Sequence, residues 1–221
     1  MLTVILPTRN EVATIGRMID DIRALPVDAG IVVLDYKSTD GTREVAKEKG
    51  VLLIDEPMKG KGVAVRHYFE TCPQGTLVMI DADCTYPVSS ITEMDTHLGG
   101  DSDVAISHRY FHKPGAMKRL HRFGNAMLSL LASRLFRYEV FDVCSGLWGF
   151  ADGVVSRFNL VSDGFTLEAD LFANSMRSGA KVYQFPIRYY PRPDGSTAKL
   201  TMFDGVKIAW FLLMSRLGRR G

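Results

Sequence analysis

The N-terminal part of this chain repeats one unit, and that repeat constrains the fold more than any other feature. Short apolar runs at Leu2–Leu6, Ile31–Leu34, Val51–Ile54 and Thr76–Ile80 alternate with stretches of helical period. After the first run, Ile15, Met18, Ile19 and Ile22 share one face of a helix over 11–25. A second helix is expected from Thr42 to Lys49, ended by Gly50, and a third opens at Lys59-Gly60-Lys61-Gly62 and runs through Phe69. The strand runs have no polar face, so both of their sides must be covered. Strand and helix in alternation therefore predict an α/β fold, a mostly parallel sheet with helices on both faces.

Such a sheet also says where a ligand goes, because crevices open beyond the carboxyl ends of its strands. Three polar clusters lie at those ends: Pro7–Glu11, Asp35–Asp40 and Asp81–Asp83. Asp81 and Asp83 are spaced i, i+2 at the end of a strand, so both carboxylates can face one point. Two hard oxygen ligands there suit Mg²⁺ or Mn²⁺, shared with a substrate phosphate.

After residue 90 the pattern loosens. A helix is expected near Ile91–Leu98 and a strand near Asp103–Ser107, followed by a basic segment with Arg109, His112, Lys113, Lys118, Arg119, His121 and Arg122. Asn125–Phe136 reads as an amphipathic helix, Leu147–Phe150 as a short strand, Phe165–Ser178 as a helix and Lys181–Tyr190 as a strand. A loop over 191–197 and a strongly apolar helix, Phe203–Leu217, complete the chain.

A net charge of +2 gives no whole-molecule field that would favour nucleic acid. Hydrophobic residues at 46% and charged residues at 24% fit a globular chain with a real core. The three cysteines, Cys72, Cys84 and Cys144, form no CxxC pair and read as buried thiols in a reducing cytosol. Leu2–Leu6 is too short for the apolar core of a signal peptide. The longest apolar run, Ile208–Met214, falls well below the roughly 18 residues a membrane span needs.

The motifs ILPTRNE (5–11), LDYKSTDGT (34–42), KGKG (59–62) and DAD (81–83) resemble, in order, those of family 2 glycosyltransferases of the GT-A fold. SHRY (107–110), DVCSGLWGF (142–150), GFTLEADL (164–171) and FPIRYYPRPDGSTAK (185–199) resemble the dolichyl-phosphate mannose synthase branch. The resemblance covers roughly residues 2–200 and implies an inverting hexosyltransferase. Its donor would be a nucleotide sugar of the GDP-mannose or UDP-glucose type, and its acceptor a polyprenyl (dolichyl) monophosphate.

The resemblance also implies roles. Pro7, Arg9, Glu11, Asp35, Asp40, Lys61 and Asp81 would surround the nucleotide. Asp81 and Asp83 would hold the metal, with Asp83 the closer ligand. Glu168 would reach sugar hydroxyls. Asp142, Ser145 and Gly146 would shape the floor of the sugar pocket. Arg109, Arg192 and Lys199 would meet the acceptor phosphate and the diphosphate, joined by Arg119 and Arg122. A lipid monophosphate is already ionised, so it needs cations, whereas a hydroxyl acceptor needs a carboxylate base. A soluble family 2 enzyme acting on a hydroxyl is the alternative. Arg9 and Tyr36-Lys37 depart from the family pattern, which leaves the base preference open.

The chain divides on this reading into a catalytic domain, 1–200, and a C-terminal helix, 201–221. Phe203, Val206, Trp210, Leu213 and Leu217 form one stripe, with Lys207, Arg216, Arg219 and Arg220 as a basic flank. That layout suits an interfacial helix at the cytoplasmic membrane face, a contact with a membrane partner subunit, or burial against the core.

Overall fold

The structure, a computed structural model, describes residues 1–72, 74–195 and 202–218. The N-terminal half runs β1 (Leu2–Thr8), α1 (Ile15–Arg23), β2 (Ala29–Asp35), α2 (Thr42–Glu48), β3 (Leu52–Asp55), α3 (Lys61–Thr71), β4 (Thr76–Ile80) and α4 (Ser90–His97). The rest runs β5 (Val104–His112), α5 (Arg119–Phe136), β6 (Leu147–Phe150), a 3-10 turn at Val155–Arg157, α6 (Leu167–Arg177), β7 (Val182–Tyr189) and α7 (Met202–Arg216).

Seven strands form one sheet in the order β3-β2-β1-β4-β6-β5-β7. Every pairing is parallel except those of β6, which runs against both β4 and β5. The chain builds outward from β1 to β3 and then returns to put β4 on the other side of β1. That reversal is the switch point at which an open α/β sheet leaves a crevice. Val4, Ile5, Leu6, Val78, Met79 and Ile80 are fully buried here, as runs without a polar face require.

Three elements differ from the sequence expectation. The first helix begins at Ile15 because residues 11–14 form a turn, with the N–H groups of Thr14 and Ile15 donating to Glu11 O at 3.0 and 2.9 Å. β5 continues into the basic segment because β7 offers a parallel ladder there, pairing Arg109 with Ile187 and His112 with Tyr189. α5 starts at Arg119, six residues before the expected Asn125 (125 − 119).

α7 packs on α5 and α6. Ile208 and Leu212 enter the core, whereas Phe203, Val206, Trp210, Leu213 and Leu217 stay exposed. The helix therefore has two apolar sides, one packed into the body of the domain and one outward. No helix among the described residues is long and apolar enough to cross a membrane.

Candidate active site

The loops after β1 and β2 are laced together. Asn10 N donates to Ser38 Oγ at 2.8 Å, Thr39 N to Asn10 Oδ1 at 2.9 Å, and Glu11 N to Thr42 Oγ1 at 2.9 Å. Asp40, expected beside the nucleoside, serves this lacing. Its carboxylate accepts from Val12 N at 3.1 Å, Thr42 N at 3.0 Å and Thr42 Oγ1 at 2.5 Å, and it lies outside the cavity wall. It precedes the Gly41 N-cap of α2 and takes the first N–H of that helix. Asp35 sits fully buried behind the wall. Its Oδ2 accepts from Ser38 N at 3.1 Å, and Oδ1 has no partner among the described residues.

A cavity of about 610 Å³ opens beyond β1 and β4. Pro7, Arg9, Glu11, Lys61, Asp81, Asp83, Arg109, Glu168 and Arg192 all line it, so residues far apart in the chain meet there. Lys199 lies outside the described residues, as do Arg219 and Arg220. Arg119 and Arg122 are exposed and do not line the cavity; Lys118 and His121 beside them do.

Lys61 Nζ lies 2.6 Å from both Asp81 Oδ1 and Glu168 Oε1 and ties β4 to α6. Two close approaches demand glycine around this knot. A Cβ on Gly62 would fall 2.3 Å from Ser162 O, and one on Gly146 would fall 2.0 Å from Asp81 Oδ2. Burial raises the Glu168 carboxyl above its ordinary range, opposed by the Lys61 charge. Tyr36, which lines the cavity with Pro7, Arg9 and Glu11, has its phenol pushed up to about 12 by burial.

Asp83 is almost fully enclosed. Its Oδ1 accepts from Thr85 N at 3.1 Å and Thr85 Oγ1 at 2.6 Å, and its Oδ2 meets Arg192 Nη2 at 2.5 Å. Burial and then the nearby Asp81 charge raise its carboxyl, while Arg192 lowers it. Among the described residues no cluster of three or more His, Cys, Asp or Glu forms a metal site. Asp81 and Asp83 supply two carboxylates, which fits a Mg²⁺-type ion that completes its shell with substrate phosphate and water.

Arg109 lines the cavity with its charge already matched. It makes a two-pronged pair with Asp142, donates to Cys144 O at 2.9 Å, and lies 5.3 Å from the Tyr189 ring centroid. Asp142 thus holds an arginine, and neither it nor Ser145 nor Gly146, expected to shape the pocket floor, lines the cavity, where Cys144 does. Sequence reasoning missed Tyr86 and Tyr189, which stack edge to face with centroids 5.2 Å apart at the cavity. Tyr86 Oη also accepts from Gly146 N at 2.6 Å. It missed as well the polar stripe Lys118, His121 and Asn125 on α5, whose i, i+3, i+7 spacing was visible but lay across the expected helix boundary.

Carboxylates and cations face each other at the switch point of an open α/β sheet, the place where such sheets bind their ligands. The chain belongs to glycosyl transferase family 2, whose model matches residues 3–158. It is 36% identical over 199 residues to glycosyltransferase AglJ of Haloferax volcanii, covering 89% of this chain and 65% of that protein. It is 29% identical over 204 residues to a dolichyl-phosphate hexose transferase of the same organism, covering 92% of this chain and 88% of the relative. A third relative there, the low-salt glycan biosynthesis hexosyltransferase Agl6, is 30% identical over 98% of this chain, which spans 54% of its length. The chain therefore spans about two thirds of AglJ and about half of Agl6.

Among solved structures, glucosyl-3-phosphoglycerate synthase from Mycobacterium tuberculosis superposes on all of this chain and 81% of its own, with a TM-score of 0.76 at 22% identity. That structure holds Mn²⁺, uridine diphosphate and glucosyl-3-phosphoglycerate. The likeness is one of fold, GT-A, as the motifs implied.

Proposed function

We propose that this chain transfers a hexose from a nucleoside diphosphate sugar to a polyprenyl monophosphate at a membrane surface. One observation carries the reading. The cavity is lined in part by His121 and Asn125 of α5 and Ile208 of α7, and both helices leave apolar side chains exposed. On α5 the stripe is Leu120, Phe123, Met127 and Leu130, with Phe123 65% exposed; on α7 it includes Phe203 and Trp210, at 81% and 62%. An ordinary surface helix shows water its polar side. α5 does the reverse, turning Lys118, His121 and Asn125 to the cavity and its apolar stripe out. Arg119, Arg122, Lys207 and Arg216 are exposed along the same two helices. Apolar faces flanked by cations suit an anionic lipid surface.

The chemistry follows from the walls. A divalent cation held by Asp81 and Asp83, when bound, stabilises charge on the leaving diphosphate as a Lewis acid. Lys61 fixes Asp81 and Glu168 relative to each other, which leaves Glu168 beside the sugar hydroxyls. Pro7, Arg9, Glu11 and Tyr36 wall the nucleoside end. Asp81, Asp83 and Glu168 each meet a cation, so none stands ready as a general base. That state suits an acceptor that arrives ionised, and Arg192 and Lys118 are the described cations on its side. The relative named a dolichyl-phosphate hexose transferase, which the chain nearly spans, supports the same acceptor.

The structural neighbours complexed with phosphoglyceric acid favour a second reading, a small soluble acceptor. One assay separates the two. Labelled UDP-glucose or GDP-mannose is offered with Mn²⁺ and either polyprenyl phosphate in vesicles or phosphoglyceric acid. Label extracted into organic solvent supports the lipid acceptor, and label confined to a water-soluble product overturns it. The anomeric configuration of the product, read by NMR, tests inversion.

A further inference from the structure

We infer that Arg192 and the divalent cation compete for the same oxygen of Asp83, so that binding of the cation releases Arg192 to the acceptor's anionic group. This rests on the assignment of Asp81 and Asp83 as the cation site. Asp83 has two carboxylate oxygens, and each is engaged. Oδ1 is committed to the Thr85 N–H and hydroxyl. Oδ2 carries the Arg192 guanidinium at 2.5 Å, in a side chain only 5% exposed. The one lone-pair direction left lies on Oδ2, beside the guanidinium, where an ion would sit against a like charge. Thr85 is a poor candidate for displacement, because it is fully buried and its contacts to Asp83 belong to the turn that follows β4.

Arg192 is the mobile partner. It lies on a segment outside any helix or strand, with a side chain 29% exposed toward the cavity. Its backbone is moored two residues earlier, where Tyr190 N donates to Thr85 O at 3.0 Å. The guanidinium can therefore leave Asp83 by side-chain rotation while its segment stays against the same turn. A second positive charge at Oδ2 repels the guanidinium from Asp83, and an anion brought into the cavity by the acceptor gives it a new partner. The two cationic centres exchange one carboxylate oxygen, which makes donor binding a precondition for acceptor capture.

Mn²⁺ binding by isothermal titration in the presence of UDP tests the exchange, with wild type, Arg192→Gln and Arg192→Lys compared at matched thermal stability. Arg192→Gln is expected to bind Mn²⁺ about tenfold more tightly than wild type, about 1.4 kcal/mol. Arg192→Lys keeps the charge and is expected to fall between. The guanidinium NMR signals of Arg192, identified by their absence in Arg192→Lys, are expected to move when Mg²⁺ and UDP are added to wild type. Inorganic phosphate is expected to shift those signals only after Mg²⁺ and UDP are present. Mn²⁺ binding by wild type that Arg192→Gln leaves unchanged or weakens overturns the exchange and keeps the cation site. So do guanidinium signals indifferent to Mg²⁺. No Mn²⁺ binding by either protein overturns the cation site, and the exchange with it.

Discussion

Arg109 and Asp142 face each other as a two-pronged ion pair, Nε to Oδ2 at 2.6 Å and Nη2 to Oδ1 at 2.7 Å. Their side chains are 8% and 9% exposed. The pair joins β5 to the segment before β6 and forms one wall of the cavity. Removing one partner from a buried pair strands the other's charge. Arg109→Ala is therefore expected to destabilise the fold by about 3–5 kcal/mol. The double variant Arg109→Met/Asp142→Leu should recover much of that loss. Chemical denaturation of the three proteins checks it, and a stable Arg109→Ala would return Arg109 to the role of acceptor cation.

Asp83→Ala is expected to abolish transfer and to lower stability by about 1–3 kcal/mol, because the buried Thr85 N–H and hydroxyl lose their acceptor. The substitution frees Arg192, which is partly exposed and can be solvated, so no buried charge is stranded. Loss of a metal ligand costs several kcal/mol of transition-state stabilisation. Activity retained in chelator by Asp83→Ala, measured as UDP or GDP release, would count against the cation site.

Gly146→Ala tests the seat of Asp81. The added methyl would overlap Asp81 Oδ2, and Asp81 N donates to Gly146 O at 3.1 Å, so backbone and side chain cannot both adjust freely. Asp81 must rotate, which breaks its contact with Lys61. The expected result is nucleotide affinity reduced by roughly tenfold, about 1.4 kcal/mol, with the fold retained. Unchanged affinity by titration would show that Asp81 is not needed where it lies.

The outward faces of α5 and α7 are testable without disturbing the core. Phe123→Gln and Trp210→Gln remove exposed side chains, so melting temperatures should hold. Binding to anionic vesicles should weaken by roughly tenfold or more per substitution, since each buries on the order of 1.5–3 kcal/mol of apolar surface in lipid. Salt at 0.5 M, a Debye length of roughly 4 Å, should weaken the wild type further. Co-sedimentation reads both. Deleting α7 is a poor substitute, because Ile208 and Leu212 are core residues and the domain should lose stability with them.

The N-terminal half of the fold was legible because its signals are local. An apolar run such as Thr76–Ile80 has no polar face, and its observed strand has those same bounds. The placement of Asp81 and Asp83 on the cavity was legible for the same reason, a spacing of two at a strand end. Asp40 was not legible, because its position in sequence does not show that its carboxylate is taken by the N–H groups of Val12 and Thr42 outside the cavity lining.

What the sequence determined by itself was the alternation of strands and helices, the rim on which the polar clusters fall, and the family. What tertiary structure alone decided was pairing. Arg109 meets Asp142, Lys61 meets Glu168, and Arg192 meets Asp83 across 33, 107 and 109 residues (192 − 83). A charge in sequence carries no record of its partner, because ion pairs form through space at contact distance and that distance is set by packing. The same holds for α7. Its apolar residues are spread around the helix, and only its contact with α5 and α6 separates Ile208 and Leu212, which face the core, from Phe203 and Trp210, which face out.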